Sequence, residues 1–319
     1  MAESRRQIAM LAFAAGLVAL SVLGAGCSGN SADRVGVKPE NGSLAVRMGG
    51  DVVLRYRYKD VPFKPYVREL FTPSGVNVLR DAPADHLHHH ALMFAVAVDG
   101  VNFWEERQRP GRQEHRSFTH YANVGGAKGT HKAGFDEHLD WLDPRTGQVL
   151  LKEVRTIKVF GKADRDVTLM TWRTRLSPPA GKDSVTLSGS AYFGLGMRFL
   201  KSMDSGGSFV NSEGSAGVSG TNDKRAGWCA YSALADGKPV TVAVFDHPDN
   251  ERHPATWFTM DNPFAYIAAT LGLHKEPLKV ESGRPLVLSY GVALWDGRIE
   301  AKQISRVYDR WLATAGGLQ

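Results

Sequence analysis

Four imidazoles fall within five residues in Asp85-His86-Leu87-His88-His89-His90, and Asn102-Phe103-Trp104 follows after one apolar run. Each ring carries two nitrogens that need partners, and crowding disfavours protonation. Such a set therefore stays largely neutral near pH 7 and able to bind metal or move protons. Eight of the eleven histidines lie between His86 and His138, which marks a site rather than scatter. Single rings of this kind also cap strands and bond the backbone; the group as a whole reads as functional.

Two chemistries compete for it. His86-x-His88 and His88-x-His90 each put two imidazoles on one face of an extended segment. Adding Asp85 or Glu137 makes a two-histidine, one-carboxylate set for a divalent metal such as iron, zinc or manganese, its imidazoles drawn from His86, His88 and His90. The other chemistry is acid/base catalysis without a cofactor. The sequence carries no glycine-rich phosphate cradle, nucleotide motif or Ser-His-Asp order signal. Cys229, in Trp-Cys-Ala-Tyr, reads as a buried small hydrophobe.

The elements that must position these residues are mostly strands. Residues 52–58, 92–98, 150–160, 167–176, 185–193, 240–245 and 286–294 are β-branched and aromatic runs, many alternating, bounded by turns such as Asp99-Gly100 and Asp236-Gly237. One helix is expected at 299–312, with Ile304, Val307, Tyr308, Trp311 and Leu312 on one face. The Gly- and Ser-rich stretches 125–134 and 202–220 read as ordered loops over a site. No repeat or linker divides the chain. The expectation is all-β, a large single-domain β-sandwich over 41–319 with a C-terminal helix.

The first 26 residues read as an export signal: Arg5 and Arg6, then an apolar stretch over 8–23, then small residues. Leu23-Gly24-Ala25-Gly26-Cys27 is similar to a bacterial lipobox, with its leucine one position early. The expectation is a lipidated Cys27, a flexible tether over 27–40, and an exported lipoprotein held at the periplasmic or outer-membrane surface. No later stretch is apolar enough to span a membrane as a helix. The formal charge of +6 comes from dispersed lysines and arginines, which argues against nucleic-acid readout.

Several blocks together resemble the bacterial family labelled "PmoA-like" or "methane oxygenase". They are Lys64-Pro65-Tyr66, Phe71-Thr72-Pro73-Ser74-Gly75-Val76, the histidine segment and Asn102-Phe103-Trp104. Further along come Gly194-Leu195-Gly196-Met197-Arg198, Asn211-Ser212-Glu213-Gly214, Arg225-Ala226-Gly227-Trp228, and Asp246-His247-Pro248-Asp249-Asn250 with His253-Pro254 and Trp257. The likeness spans residues 52–311. It departs at His88-His89-His90-Ala91-Leu92, where the family reads His-His-Arg-Gly-Leu and uses the arginine for an anionic contact.

The resemblance implies a sandwich similar to the galactose mutarotase-like superfamily, which binds sugars with histidines and a carboxylate. On that footing His88 and His89 are the leading acid/base pair, with His247 next. Glu153 is the candidate base if it faces inward, where burial would raise its pKa; strand alternation alone slightly favours the wet face. Sugar contacts are expected from His86, Trp104, Arg198, Asn211, Asp246, Asn250 and Trp257, the tryptophans as stacking platforms or as core. The reading is an epimerase, lyase or hydrolase. Its alternatives are a non-catalytic sugar-binding lipoprotein and the metal-dependent oxygenase of the family label.

Overall fold

The computed structural model describes residues 35–125, 131–161 and 166–315. The signal segment and Cys27 lie outside the described residues. Strands are numbered β1 to β21 in chain order.

Nine form one antiparallel sheet, in the spatial order β1 (Val35–Glu40), β2 (Ser43–Met48), β3 (Asp51–Arg57), β4 (Tyr66–Leu70), β5 (Leu92–Ala95), β13 (Gly194–Arg198), β19 (Tyr266–Thr270), β18 (Thr256–Met260) and β15 (Lys224–Arg225). Eight form the second: β14 (Ser208–Asn211), β16 (Trp228–Ala235), β17 (Lys238–Asp246), β21 (Leu286–Asp296), β11 (Thr168–Ser177), β10 (Val149–Phe160), β9 (His131–Leu142) and β8 (Arg112–Gly125). A small third sheet runs β20 (Leu278–Glu281), β12 (Ser184–Ser188), β6 (Ala97–Val98) and β7 (Val101–Asn102). This is the expected all-β sandwich.

Register fixes which residues face which layer, because directly opposed residues of antiparallel strands point to the same side. Phe94, Leu195, Ala269 and Trp257 are opposed in turn across β5, β13, β19 and β18. Phe94 packs on Trp141 of the second sheet, with ring centroids 6.2 Å apart, so this row faces the interior. Met93, Gly196, Ala268 and Phe258 form the next row and face the other way. Arg198, Tyr266 and Met260 share that outward side.

Helix α2 (Ala301–Ala315) covers the outer side of the second sheet. Ile304, Val307 and Trp311 pack there with Trp228, Phe245 and Trp295. The sheet offers it a row of small residues, Ala230, Ala243 and Ala293. A Cβ at Gly291 would lie 2.8 Å from the Trp311 indole, so that glycine sets how closely the helix can sit.

Three expectations need correction. Val35–Glu40, assigned to the tether, is a strand paired with Ser43–Met48. It is an edge strand, where Pro39 costs no interior ladder bond. In the 125–134 stretch, Gly125 ends β8 and 131–134 open β9, so the described part is a hairpin rather than a loop over a site. The 202–220 stretch holds a 3₁₀ turn at Lys201–Met203, strand β14 and the short helix α1 (Gly217–Thr221).

Candidate functional site

The histidine segment is the tip of the long connection from β4 to β5. The connection is pinned back on itself at Asp81 and His90 and by the bond from Ala82 N to His89 O. Two successive turns, His86 N to Pro83 O at 2.8 Å and His89 N to His86 O at 2.9 Å, bring three rings together. His86 stacks on His89 with centroids 4.6 Å apart, and His88 meets His89 edge-on at 4.7 Å. Both His88 and His89 pack edge-on against Trp104, at 5.2 and 5.3 Å.

Trp104 reaches them through a turn in which Asn102 Oδ1 accepts from the backbone N–H groups of Trp104 and Glu105. Its indole stacks at 5.5 Å on Phe193 and takes the Tyr192 ring edge-on at 4.7 Å. Together these groups wall a cavity of about 400 Å³ on the outward face of the nine-stranded sheet. Phe258, Met260, Pro263, Phe264 and Tyr266 supply its sheet side; Glu105, Arg107 and Tyr192 supply the rest. The volume lies in the range of small-molecule sites. A larger hollow of about 640 Å³ lies between Asp249, Lys279, Glu281 and Arg284. None of the candidate residues lines it, and it lacks the aromatic wall, so the histidine cavity is the better site.

The electrostatics divide the histidines into two kinds. Burial is the main cause that lowers His88 to about 4, helped by the neighbouring His86, Lys64 and Arg107. Burial, with His88, His86 and Arg198 adding to it, lowers His89 to about 2. Both rings are therefore neutral near pH 7. His90 behaves oppositely. Burial works against its charge, but Asp81 at 3.1 Å from Nδ1 and Glu106 at 2.8 Å from Nε2 outweigh it and raise its pKa. Tyr66 Oη donates to Asp81 and Lys64 Nζ donates to Glu106, which closes a partly buried chain behind the cavity.

Arg198 lies under the rings, buried, with its guanidinium 3.6 Å from the centroid of Phe264. Its Nη1 is 3.3 Å from His89 Nδ1 and its Nη2 3.3 Å from Asp85 Oδ2. Burial alone would raise Asp85, yet bonds from His86 and Arg198 hold it at about 2. Gly196 gives the Tyr266 phenol its room: a Cβ there would lie 1.8 Å from Oη.

Of the expected residues, His86, His88, His89 and Trp104 converge on the cavity and Arg198 backs it. Others do not. Glu153 does face inward, but it lies between the sheets. Arg155 Nε and Nη2, Trp141 Nε1 and Thr174 Oγ1 all donate to its carboxylate, so no oxygen is left to act as a base. His247 packs against Trp311 at 5.5 Å on the helix side of the second sheet. Asp246 is a structural hub that accepts from His253 Nδ1, Asn250 Nδ2 and Ala255 N. Asn250 is further tied to both the N–H and C=O of Ser289, and Asn211 holds the turn at Glu213 and Ser215. Trp257 is on the interior row, its Nε1 donating to Ala226 O.

His90 cannot complete the expected metal set, because both its nitrogens are bonded to carboxylates. Among the described residues no group of three or more His, Cys, Asp or Glu side chains is arranged to hold a metal ion. Among the same residues no helix is long and apolar enough to cross a membrane.

Sequence reading missed Glu105, Arg107, Tyr192, Phe258, Phe264 and Tyr266. Two signals were within reach: Glu105 and Arg107 directly follow the Asn-Phe-Trp block, and Phe258 is the outward neighbour of Trp257.

Among solved structures, the chain is similar to the GH36 alpha-galactosidase AgaB from Geobacillus stearothermophilus, at 10% identity and a TM-score of 0.50 over 82% of this chain and 41% of that one. The GH36 alpha-galactosidase AgaA of the same organism aligns at 8% identity and TM-score 0.47, covering 83% and 41%. A putative mutarotase (YeaD) from Salmonella typhimurium aligns at 9% identity and TM-score 0.34, covering 82% and 94%. The chain thus spans under half the length of the galactosidases, and at these identities the likeness speaks to fold alone. No curated protein matches it in sequence. A family model matches residues 43–309, most of the chain, and by that match the protein belongs to the family described as "Family of unknown function (DUF6807)".

Proposed function

We propose that this is an exported, lipid-anchored, carbohydrate-active enzyme that takes a sugar into the histidine cavity and uses His88 and His89 in acid/base chemistry. The observation that carries it is the pairing of two neutral imidazoles with an aromatic wall of Trp104, Tyr192 and Phe258 around a sugar-sized hollow. Aromatic faces receive the apolar faces of pyranoses. The sandwich shared with an alpha-galactosidase supports the carbohydrate reading, as does the resemblance to the PmoA-like family.

The roles follow from hydrogen bonding. An arginine only donates, so His89 Nδ1, facing Arg198, is the acceptor and the ring proton sits on Nε2. His89 then presents an N–H that stabilises charge developing on a substrate oxygen, as preorganised donors do. Neither nitrogen of His88 is bonded within the described residues, so its lone pair is free to take a proton. A base beside a fixed donor suits epimerisation, elimination or hydrolysis at a sugar carbon.

The test is turnover of neutral, acidic and 3-keto sugars by the wild type and by His88→Ala and His89→Ala. The reading requires product from the wild type and a loss of roughly a hundredfold or more in each variant. Undiminished turnover in both variants removes their catalytic role. A second reading, a binding protein without catalysis, draws on the dispersal of Glu153 and His247 away from the cavity. Saturable sugar binding with no product after long incubation establishes it instead.

A further inference from the structure

We propose that the cavity selects a carboxylate-bearing sugar, a uronic acid or its glycoside, and that Arg107 at the rim binds the carboxylate. This rests on the carbohydrate reading above and narrows it.

Arg107 lines the cavity and is exposed, and it makes no hydrogen bond, ion pair or ring contact among the described residues. The other cations nearby are matched. Lys64 pairs with Glu106 at 2.6 Å, and Arg198 pairs with Asp85 at 3.3 Å. Glu105, the acidic lining residue, is already occupied: Tyr192 Oη donates to one oxygen at 2.6 Å and Asn102 Nδ2 to the other at 3.3 Å. The unmatched positive charge at the rim is therefore the Arg107 guanidinium, beside a Glu105 carboxylate held by neutral donors, and its field reaches inward to His88 and Tyr192.

Unspent hydrogen-bonding capacity points the same way. Trp104 Nε1 and Arg198 Nε are buried donors without a partner, and His89 keeps an N–H on Nε2. Against these three donors and the arginine fork stand the lone pair of His88 and the unpartnered Tyr266 hydroxyl, which can donate as well as accept. A hydroxyl brings a donor with every acceptor it offers, whereas a carboxylate accepts only. A wall this rich in donors is complementary to an acidic sugar more than to a neutral one.

The placement of Arg107 is built in. Gly111 N donates to Asn102 O at 2.8 Å and closes the loop that carries it. The next two residues, Gln108 and Arg109, sit at φ of 52° and 63°, the left-handed region that side chains other than glycine's seldom adopt. Two such residues in succession turn the chain sharply away just after Arg107, leaving its side chain over the opening. Strain of this kind persists where surrounding structure enforces it, and it concentrates at ligand sites.

The experiment is calorimetric titration of the full chain with D-glucuronate, D-galacturonate and their neutral parents D-glucose and D-galactose, at low and high salt. Arg107→Gln and Arg107→Lys are titrated beside the wild type; the residue is exposed, so both variants keep the fold. The expected result is that a uronate binds about tenfold or more tighter than its parent, as a charge-assisted bidentate contact gives. That preference should vanish in Arg107→Gln, weaken in Arg107→Lys and shrink in salt, while affinity for the neutral sugar changes far less. Equal binding of uronate and parent, or a preference that survives in Arg107→Gln, overturns the assignment and leaves the carbohydrate reading standing. Failure of every sugar to bind rejects both.

Discussion

Arg198 Nη1 lies 3.3 Å from His89 Nδ1, and since a guanidinium has no lone pair to offer, this one contact fixes the tautomer of the ring. Arg198 is thus a positioning residue. Replacing it with methionine should leave His89 exchanging between its two neutral tautomers. Nitrogen-15 shifts of the histidine ring report this directly. The wild type should show Nδ1 without a proton, and Arg198→Met should show averaged shifts together with weakened sugar binding. A wild-type Nδ1 carrying the proton would refute the assignment.

The pH response of the site is set by burial. His88 titrates near 4 and His89 near 2, so both stay neutral from pH 8 down to about 5. Function that depends on their neutral forms should be flat over that range and fall only as the pH approaches 4. Proton NMR of the ring Cε1 hydrogens checks it: no titration of either ring near 6.5 is expected. The sign for stability is the same. Unfolded histidines bind protons near 6.5, whereas these two resist in the fold, so their contribution is full above 6.5 and is lost as pH falls toward 4.

His90 carries the opposite sign. Its folded pKa is raised above 6.5 by Asp81 and Glu106, although burial opposes them. Its contribution is therefore full below 6.5 and is lost as pH rises through that raised value. His90→Gln removes the cation shared by Asp81 and Glu106, which keep only Arg68 at 3.7 Å and Lys64 at 2.6 Å, and should cost about 2 kcal/mol. Thermal unfolding at pH 5.5 and pH 9 tests both points, with the variant's deficit larger at the lower pH.

Glu153 and Arg155 belong to the frame rather than the site. Their ion pair is fully buried at 2.8 Å, and Arg155 also donates to Tyr56 Oη, Gln113 Oε1 and Pro65 O. Glu153→Gln removes one charge and should destabilise the fold by about 3 kcal/mol. Sugar affinity of the folded fraction should be unchanged. A variant of normal stability that has lost only turnover would reinstate Glu153 as a catalytic base.

Gly196 sets where the Tyr266 ring sits in the cavity wall. Gly196→Ala forces a methyl into the Tyr266 phenol, and that ring has to move toward the ligand space. Binding should drop by roughly tenfold or more while the melting temperature shifts by only a few degrees, since the strand itself is kept. Unaltered binding would show that Tyr266 takes no part in shaping the site.

What the sequence disclosed was mainly local. Alternation marked the strand at 167–176, found at Thr168–Ser177, and the helical stripe of Ile304, Val307 and Trp311 marked α2. The crowded imidazoles were legible because four in five residues leave little other use for them. Phe258 was missed and Trp257 chosen for one reason: a single step along a strand reverses the face, and only the register with β19 tells which side is the site. Glu153 faces inward although alternation alone slightly favours its wet face, because its place between the sheets, with Arg155, depends on strands far away in sequence. His247 and Asn250 looked chemical because they are polar and Pro-punctuated. The same traits serve a turn that wraps around Asp246.

The central claim is that a sugar seats against His88 and His89. Titrating sugars into protein labelled at its histidine rings tests it in one measurement. The account predicts saturable shifts at His86, His88 and His89, with His90 shifted less and His247 and His253 silent. Shifts confined to His247 and His253, or none at any ring while sugar binds, would contradict it.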